Sequence, residues 1–334
     1  MKVLPILIAA GVLTAAYFTL SSSTVDELDL QFTQFTTQFD KNYQSEDEYN
    51  FRRSIFEKNL KVINEHNAEG KSWTLGTNEF TDWTDEEYKK LLGLKSTVSA
   101  TAQSEKIGML PTNCKKMPRK GIDYRGTNRV GRVVSQGSCG SCWAFAATAA
   151  LEAAYAKEHG EFVKFSEQHI VDCDKFSHGC NGGLMANGFI HWMRHAPILE
   201  KDYEYTAKDG KCKEDSIDTE FDVLPFGYRV DVTHECLYEA LTHNVVAVSI
   251  RAENDKFRHY ESGVIDVEDD CGTEIDHGVT LVGYDEDEDA WIVRNSWGLS
   301  WGEEGYVKIR RGEDYGVCGI NQQNAQAVYD HSEY

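Results

Sequence analysis

The sequence predicts an α+β fold, a helical stretch followed by a strand-rich one, and three observations carry that expectation. Ser141 to Gly160, SCWAFAATAALEAAYAKEHG, is alanine-rich and closed by glycine, the composition of a helix with its stop signal. Beyond about residue 220, β-branched runs dominate: VVAVSI at 245–250, VTLVGY at 279–284 and WIV at 291–293. All nine cysteines, at positions 114, 139, 142, 173, 180, 212, 236, 271 and 318, lie beyond residue 110, so composition divides the 334-residue chain there. That length suits about two domains.

Charge excludes one class early. Thirty-four Lys+Arg against fifty-five Asp+Glu leave −21, which repels a phosphate backbone or an anionic lipid surface. Residues 1–22 begin with Lys2, run apolar from Val3 to Leu20 and end in small polar residues. They read as a secretory signal, with a single membrane anchor as the alternative. An odd number of cysteines in a secreted chain implies four bridges and one free thiol.

In residues 23–110, Glu48, Arg52, Phe56, Asn59, Ile63 and Asn67 recur at spacings of three and four, one stripe on a helix. Polar Asn and Arg inside the stripe point to a docking face. Gly76, Asn78, Phe80 and Asp82 follow, offering a turn and polar anchors. The stretch LKSTVSATAQSEKIGMLPTNC is polar and small, of the kind that is readily cut. Residues 111–334 form the second part.

There, Cys142 falls in the first turn of the alanine-rich helix. Asp285 to Asp289 separates two apolar runs, and a hairpin centred near Glu286 sets His277 opposite Asn295. Three chemistries compete for Cys139 and Cys142. They can be a redox pair, they can bind zinc with Cys173 and Cys180, or Cys139 is bridged and Cys142 is a nucleophile. Six residues between Cys173 and Cys180 are too many for the usual second zinc pair. At a helix N-terminus beside a histidine, the Cys142 thiol is expected to be acidified. His277 is the natural partner, its ring oriented by Asn295. His191 and His195 stand four apart, but Trp192 lies where a metalloprotease needs glutamate, and they read as structural.

Cys139-Gly-Ser-Cys142-Trp143, Gln136-Gly-Ser-Cys139, Asp276-His277-Gly278 and Asn295-Ser-Trp297-Gly together resemble the papain-like cysteine proteases, whose nucleophile signature and downstream His and Asn they match. His277 and Asn295 follow Cys142 by 135 and 153 residues. The helical stripe and the Gly76–Asp82 segment resemble the inhibitory propeptide motifs of the cathepsin L-like subfamily. The resemblance implies a papain-like two-subdomain fold, helical on one side and β-barrel-like on the other. The catalytic cleft lies between them, and a mainly helical inhibitory propeptide precedes them. It also implies a latent endopeptidase.

Carried over, Cys142 is nucleophile, His277 acid and base, Asn295 its orienter, and Gln136 an oxyanion donor. Trp297 covers the His–Asn contact. No metal or organic cofactor is required. Gly182, Gly183, Leu184, Met185, Gly278, Gln323 and Trp301 are assigned to the substrate cleft. Gln323 stands where relatives are usually apolar. The resemblance implies bridges Cys139–Cys180, Cys173–Cys212 and Cys271–Cys318, and parity then pairs Cys114 with Cys236.

Expected partners are protein and peptide substrates, the chain's own propeptide and cystatin-type inhibitors; nucleic acid, stable membrane association and oligomerisation are not expected. With no Asn-x-Ser/Thr acceptor, secretion and an acidic lysosomal or digestive compartment stand equal. The alternatives are an inactive papain-fold binding protein and a zinc or redox CxxC protein. Two electrostatic expectations follow. The acidic residues between Glu261 and Asp289 favour the His277 imidazolium, and protonation of carboxylates such as Asp82 loosens the propeptide in acid.

Overall fold

A computed structural model describes residues 27–95, 108–109, 114, 119–221, 226–230, 233–266 and 271–328. The signal-like segment 1–22, most of the cuttable stretch and Glu268–Asp270 lie outside the described residues. Among the described residues no helix is long and apolar enough to cross a membrane. Of the described residues, those up to Lys41 form one compact unit and those from Asn42 onward another. The first contains helix α1 (Glu27–Gln38), with Phe32 and Phe35 buried.

The second unit opens with α2 (Glu46–Ala68), the striped helix. Ser45 caps it by accepting the Glu48 N–H, while the Glu48 carboxylate accepts from Gln44 N. Its polar stripe residues serve the turn that follows. Asn59 donates to the Thr81 carbonyl, and Asn67 exchanges two hydrogen bonds with Leu75. Arg52 grips Glu87 with two nitrogens at 2.6 and 2.7 Å. Strand β1 (Trp73–Leu75) and short helix α3 (Asp85–Lys89), closed by a Thr84/Glu87 capping box, complete this segment.

Strands β2 (Gly108–Met109) and β3 (Ile122–Asp123) lead to α4 (Cys142–His159), which ends at Gly160 in the left-handed conformation. Helices α5 (Glu167–Cys173) and α6 (Met185–Trp192) pack against α4. Then come β4 (Phe226–Val230), α7 (His234–His243), β5 (Val246–Ile250), α8 (Asp255–Arg258), β6 (Tyr260–Ile265), β7 (His277–Asp285), β8 (Ala290–Arg294), β9 (Tyr306–Arg310) and β10 (Asn324–Val328). The strands join in the order β1-β6-β9-β8-β7-β5-β10-β4-β2, with β3 on β7. β1 is an added edge: Trp73 opposes Gly263 and Leu75 opposes Tyr260. Helix α4 also contacts β5, β7 and β10, so the helical half packs along three neighbouring strands of the sheet.

Four disulfides are present, Cys114–Cys236, Cys139–Cys180, Cys173–Cys212 and Cys271–Cys318, and Cys142 is free.

The β7–β8 register differs from the expected one. Asp285 opposes Ala290 and Leu281 opposes Val293, with a bulge between Leu281 and Gly283. The Asp285 carboxylate accepts from Asp287 N and Glu288 N, and Asp289 takes φ +46°, so the turn sits later than Glu286. His277 therefore has no ladder partner at Asn295.

Candidate functional site

Cys142 is the first residue of α4 and His277 the first of β7, and the two elements touch where they start. Gly278 makes that approach possible, since a Cβ there would stand 3.3 Å from the Cys142 carbonyl oxygen. Asn295 leaves the ladder, its N–H donating to Gly305 O, and its side chain reaches His277 regardless of register: Oδ1 lies 2.8 Å from Nε2. That contact fixes the ring and leaves Nδ1 without a hydrogen bond. The Trp297 ring lies over His277 at 4.7 Å between centroids.

Gln136 is buried, and its amide is oriented by Ser296, whose hydroxyl donates to Oε1. Its Nε2 donates to Cys139 O at 2.7 Å and to Leu91 O at 2.9 Å. Tyr205, which sequence reasoning missed, braces the same loop by donating to Gln136 O and meeting the Ser141 hydroxyl.

Leu91 to Lys95 crosses this site. Gly183 N donates to Gly93 O, Lys95 N to Gly183 O and Leu94 N to Asp276 O, at 2.8–3.1 Å. Leu94 shares a buried cluster with Leu184, Met185 and Trp143. No motif marked these residues; Leu91-Leu92-Gly93-Leu94 just after α3 was the available signal.

Behind the site, Phe80 and Tyr88 set their edges on Trp297 at 5.5 and 5.6 Å, and Phe257 and Trp301 pack beside it. Asn78 donates to Arg258 O. Trp301 is thus fully buried in an aromatic core and donates to Arg258 O. Gln323 is half-buried, its backbone N–H on Ser249 Oγ, and Gly182 follows Cys180 at φ +110°.

Two electrostatic expectations are corrected. Burial pushes the Cys142 thiol up to about 11, against the N–H groups of Gly278, Gly93 and Trp143, which favour the thiolate. Burial pulls His277 down to about 4, with the Asn295 contact opposing. With the N-terminal segment in place the pair is neutral, because desolvation outweighs the helix dipole. The acidic turn does not supply the imidazolium field either. Asp285 lies eight residues along β7, about 26 Å away, several screening lengths. Glu288 and Asp289 pair with Lys308 and Arg311.

A free thiol and an oriented imidazole beneath the chain's own N-terminal segment define a thiol peptidase held in latent form. Residues 118–328 match the papain family cysteine protease model and residues 32–88 the cathepsin propeptide inhibitor domain. The chain therefore belongs to the papain family of cysteine proteases. It is 37% identical to cysteine protease XCP2 of Arabidopsis thaliana over 305 residues, 89% of this chain and 85% of that one. The crystal structure of the Amb a 11 cysteine protease proform, a ragweed pollen allergen, superposes with a TM-score of 0.79 at 33% identity, covering 91% of this chain and 95% of that one. Digestive procathepsin L 3 of Tenebrio molitor gives 0.79 at 30% identity, covering 90% and 99%.

Proposed function

We propose that Cys142 is the nucleophile of a peptide-bond hydrolysis that proceeds through a thioester. Its sulfur attacks the carbonyl carbon, the pair of electrons moves to oxygen, and Gln136 Nε2 with the Cys142 N–H stabilises the oxyanion. His277 protonates the leaving amine, then takes a proton from water as the acyl-enzyme is hydrolysed, while Asn295 holds its ring. The single observation that carries this reading is that Cys142 is the only unbridged cysteine, at the start of α4 against the start of β7. Leu184, Met185, Gly182, Gly183, Gly278 and Gln323 are the proposed substrate-facing residues; Trp301, expected in the cleft, instead packs behind it on Phe257, Tyr260 and Trp297, its indole held by Arg258 O.

Alkylation tests it. Iodoacetamide is expected to label Cys142 alone in the processed enzyme and to abolish turnover, and to leave the intact proform unlabelled at neutral pH. Labelling elsewhere, or full activity after labelling of Cys142, would overturn the assignment.

Residues 1–22 are the proposed signal, 23–110 the propeptide and 111–334 the mature enzyme. Because Cys114 is bonded to Cys236, release of a free propeptide requires cleavage before residue 114. Export to an extracellular or acidic compartment fits this organisation.

Acid release is assigned to His259. Its ring is fully buried with neither nitrogen hydrogen-bonded, and its carbonyl accepts from Gly76 N. Burial and the neighbouring Arg258 charge hold it at about 3. A depressed histidine stabilises the docked state fully above its ordinary value near 6.5, and that stability is lost as pH falls toward 3. If release hydrates the ring, the loss at pH 4.5 is about 2–3 kcal/mol. Asp85, held low chiefly by Arg258, keeps its pair until lower pH. Asp82 accepts from Tyr43 at 2.8 Å, which binds it within the propeptide itself. The parent proform is expected to activate at pH 4.5 and the variant His259→Leu to stay latent there; equal activation rates would remove His259 from the mechanism.

A further inference from the structure

Away from the catalytic pair, three helical segments bring their histidines and a carboxylate to one point. His169 lies in α5, His191 in the last turn of α6, His195 just beyond it, and Glu214 in the short 3₁₀ turn Glu214–Ser216. Nε2 of His169 is 3.2 Å from Glu214 Oε2 and 3.4 Å from His191 Nε2, and His191 Nε2 is 3.8 Å from that same oxygen. A triangle with those edges has a circumscribed radius of about 2.0 Å, the length of a zinc–imidazole or zinc–carboxylate bond. The edges themselves scatter about the ~3.4 Å that separates two ligands of a tetrahedral zinc ion.

One proton serves this arrangement only by being shared between two acceptors. If both ring nitrogens carry hydrogen, they face each other at 3.4 Å, and the 3.8 Å contact is too long for a hydrogen bond. If only one does, the other nitrogen's lone pair competes with the carboxylate for the same proton. A single divalent cation uses all three lone pairs at once.

We propose that His169, His191 and Glu214 form a zinc site, with His195 Nδ1, 3.2 Å from the same carboxylate oxygen, positioning that carboxylate. Two imidazoles and a carboxylate suit zinc above magnesium or calcium. His169 and His191 are buried while His195 is partly exposed, which leaves an entry path. The ion would pin α5, the end of α6 and the loop after Cys212 together, beside the Cys173–Cys212 bridge. Position 192 remains tryptophan, so the site is structural and has no hydrolytic base.

The test uses the full-length proform, stripped with chelator and titrated with Zn²⁺ by calorimetry and with Co²⁺ by visible absorption at neutral pH. One equivalent is expected, with a four-coordinate cobalt spectrum lacking thiolate charge transfer, and zinc is expected to raise the melting temperature by several degrees. His191→Gln and Glu214→Gln should each weaken binding by at least ~100-fold, and His195→Ala by about tenfold. Glu214 is partly exposed, so Glu214→Gln should melt like the metal-free parent and serves if the histidine variant fails to fold. No stoichiometric binding, a thiolate band that puts the metal on Cys142, or affinity unchanged in Glu214→Gln would overturn the site.

Discussion

Replacing His277 by alanine is expected to lower kcat/KM of the processed enzyme by about three to four orders of magnitude. The ring has two separable tasks in the proposed mechanism. It supplies the proton for the leaving amine, and as imidazolium it stabilises the thiolate. Nε2 is committed to Asn295 at 2.8 Å, so Nδ1 is the nitrogen available for both. The second task gives a readout beyond activity, the pH dependence of iodoacetamide inactivation. In the parent enzyme, solvent reaches the cleft once the propeptide has left, the burial that holds the thiol near 11 is relieved, and reactivity should persist well below pH 7. In His277→Ala it should fall away below the ordinary cysteine value of about 8.5. A variant that loses turnover but keeps the parent's inactivation profile would mean that His277 does not pair with the thiol.

The second large effect is expected at Gly93, in the proposed propeptide. A Cβ there would stand 1.7 Å from the Gly140 carbonyl oxygen and 2.4 Å from its carbon, distances no side chain tolerates. Gly140 does not yield, because its N–H bonds Cys180 O beside the Cys139–Cys180 bridge. Gly93→Ala must therefore lift residues 91–95 from the site. The three backbone bonds to Gly183 and Asp276 would go, each worth about 1 kcal/mol, so latency should weaken by about two orders of magnitude. The measurement is turnover of a small peptide substrate by uncut proform at pH 7, against the parent proform. The processed enzymes should have equal kcat/KM, since the proposed cut before residue 114 removes residue 93 from both. An uncut Gly93→Ala proform as silent as the parent would mean that the 91–95 segment is not what blocks the cleft.

Legibility from sequence followed the range of the forces involved. The α4 helix was readable because alanine propensity and a glycine stop act within one turn. The α2 stripe was readable because helical periodicity alone collects Phe56, Asn59 and Ile63 on one face. The hairpin register differs from its sequence expectation by two to three residues, since Asp289 in the left-handed region and the bulge after Leu281 depend on particular backbone dihedrals. The His277–Asn295 contact nevertheless forms, through a side chain that has left the ladder.

Residue types and spacing by themselves determined the α+β class and the odd cysteine at the head of α4, and short motifs carried the family resemblance, because each is read locally along one chain. Only the tertiary structure decided the protonation of that cysteine and its histidine in the latent form, the route of residues 91–95, and the convergence of His169, His191 and Glu214. Desolvation is a property of what covers a group, and a three-point convergence depends on how helices far apart in sequence pack; neither is written in local order.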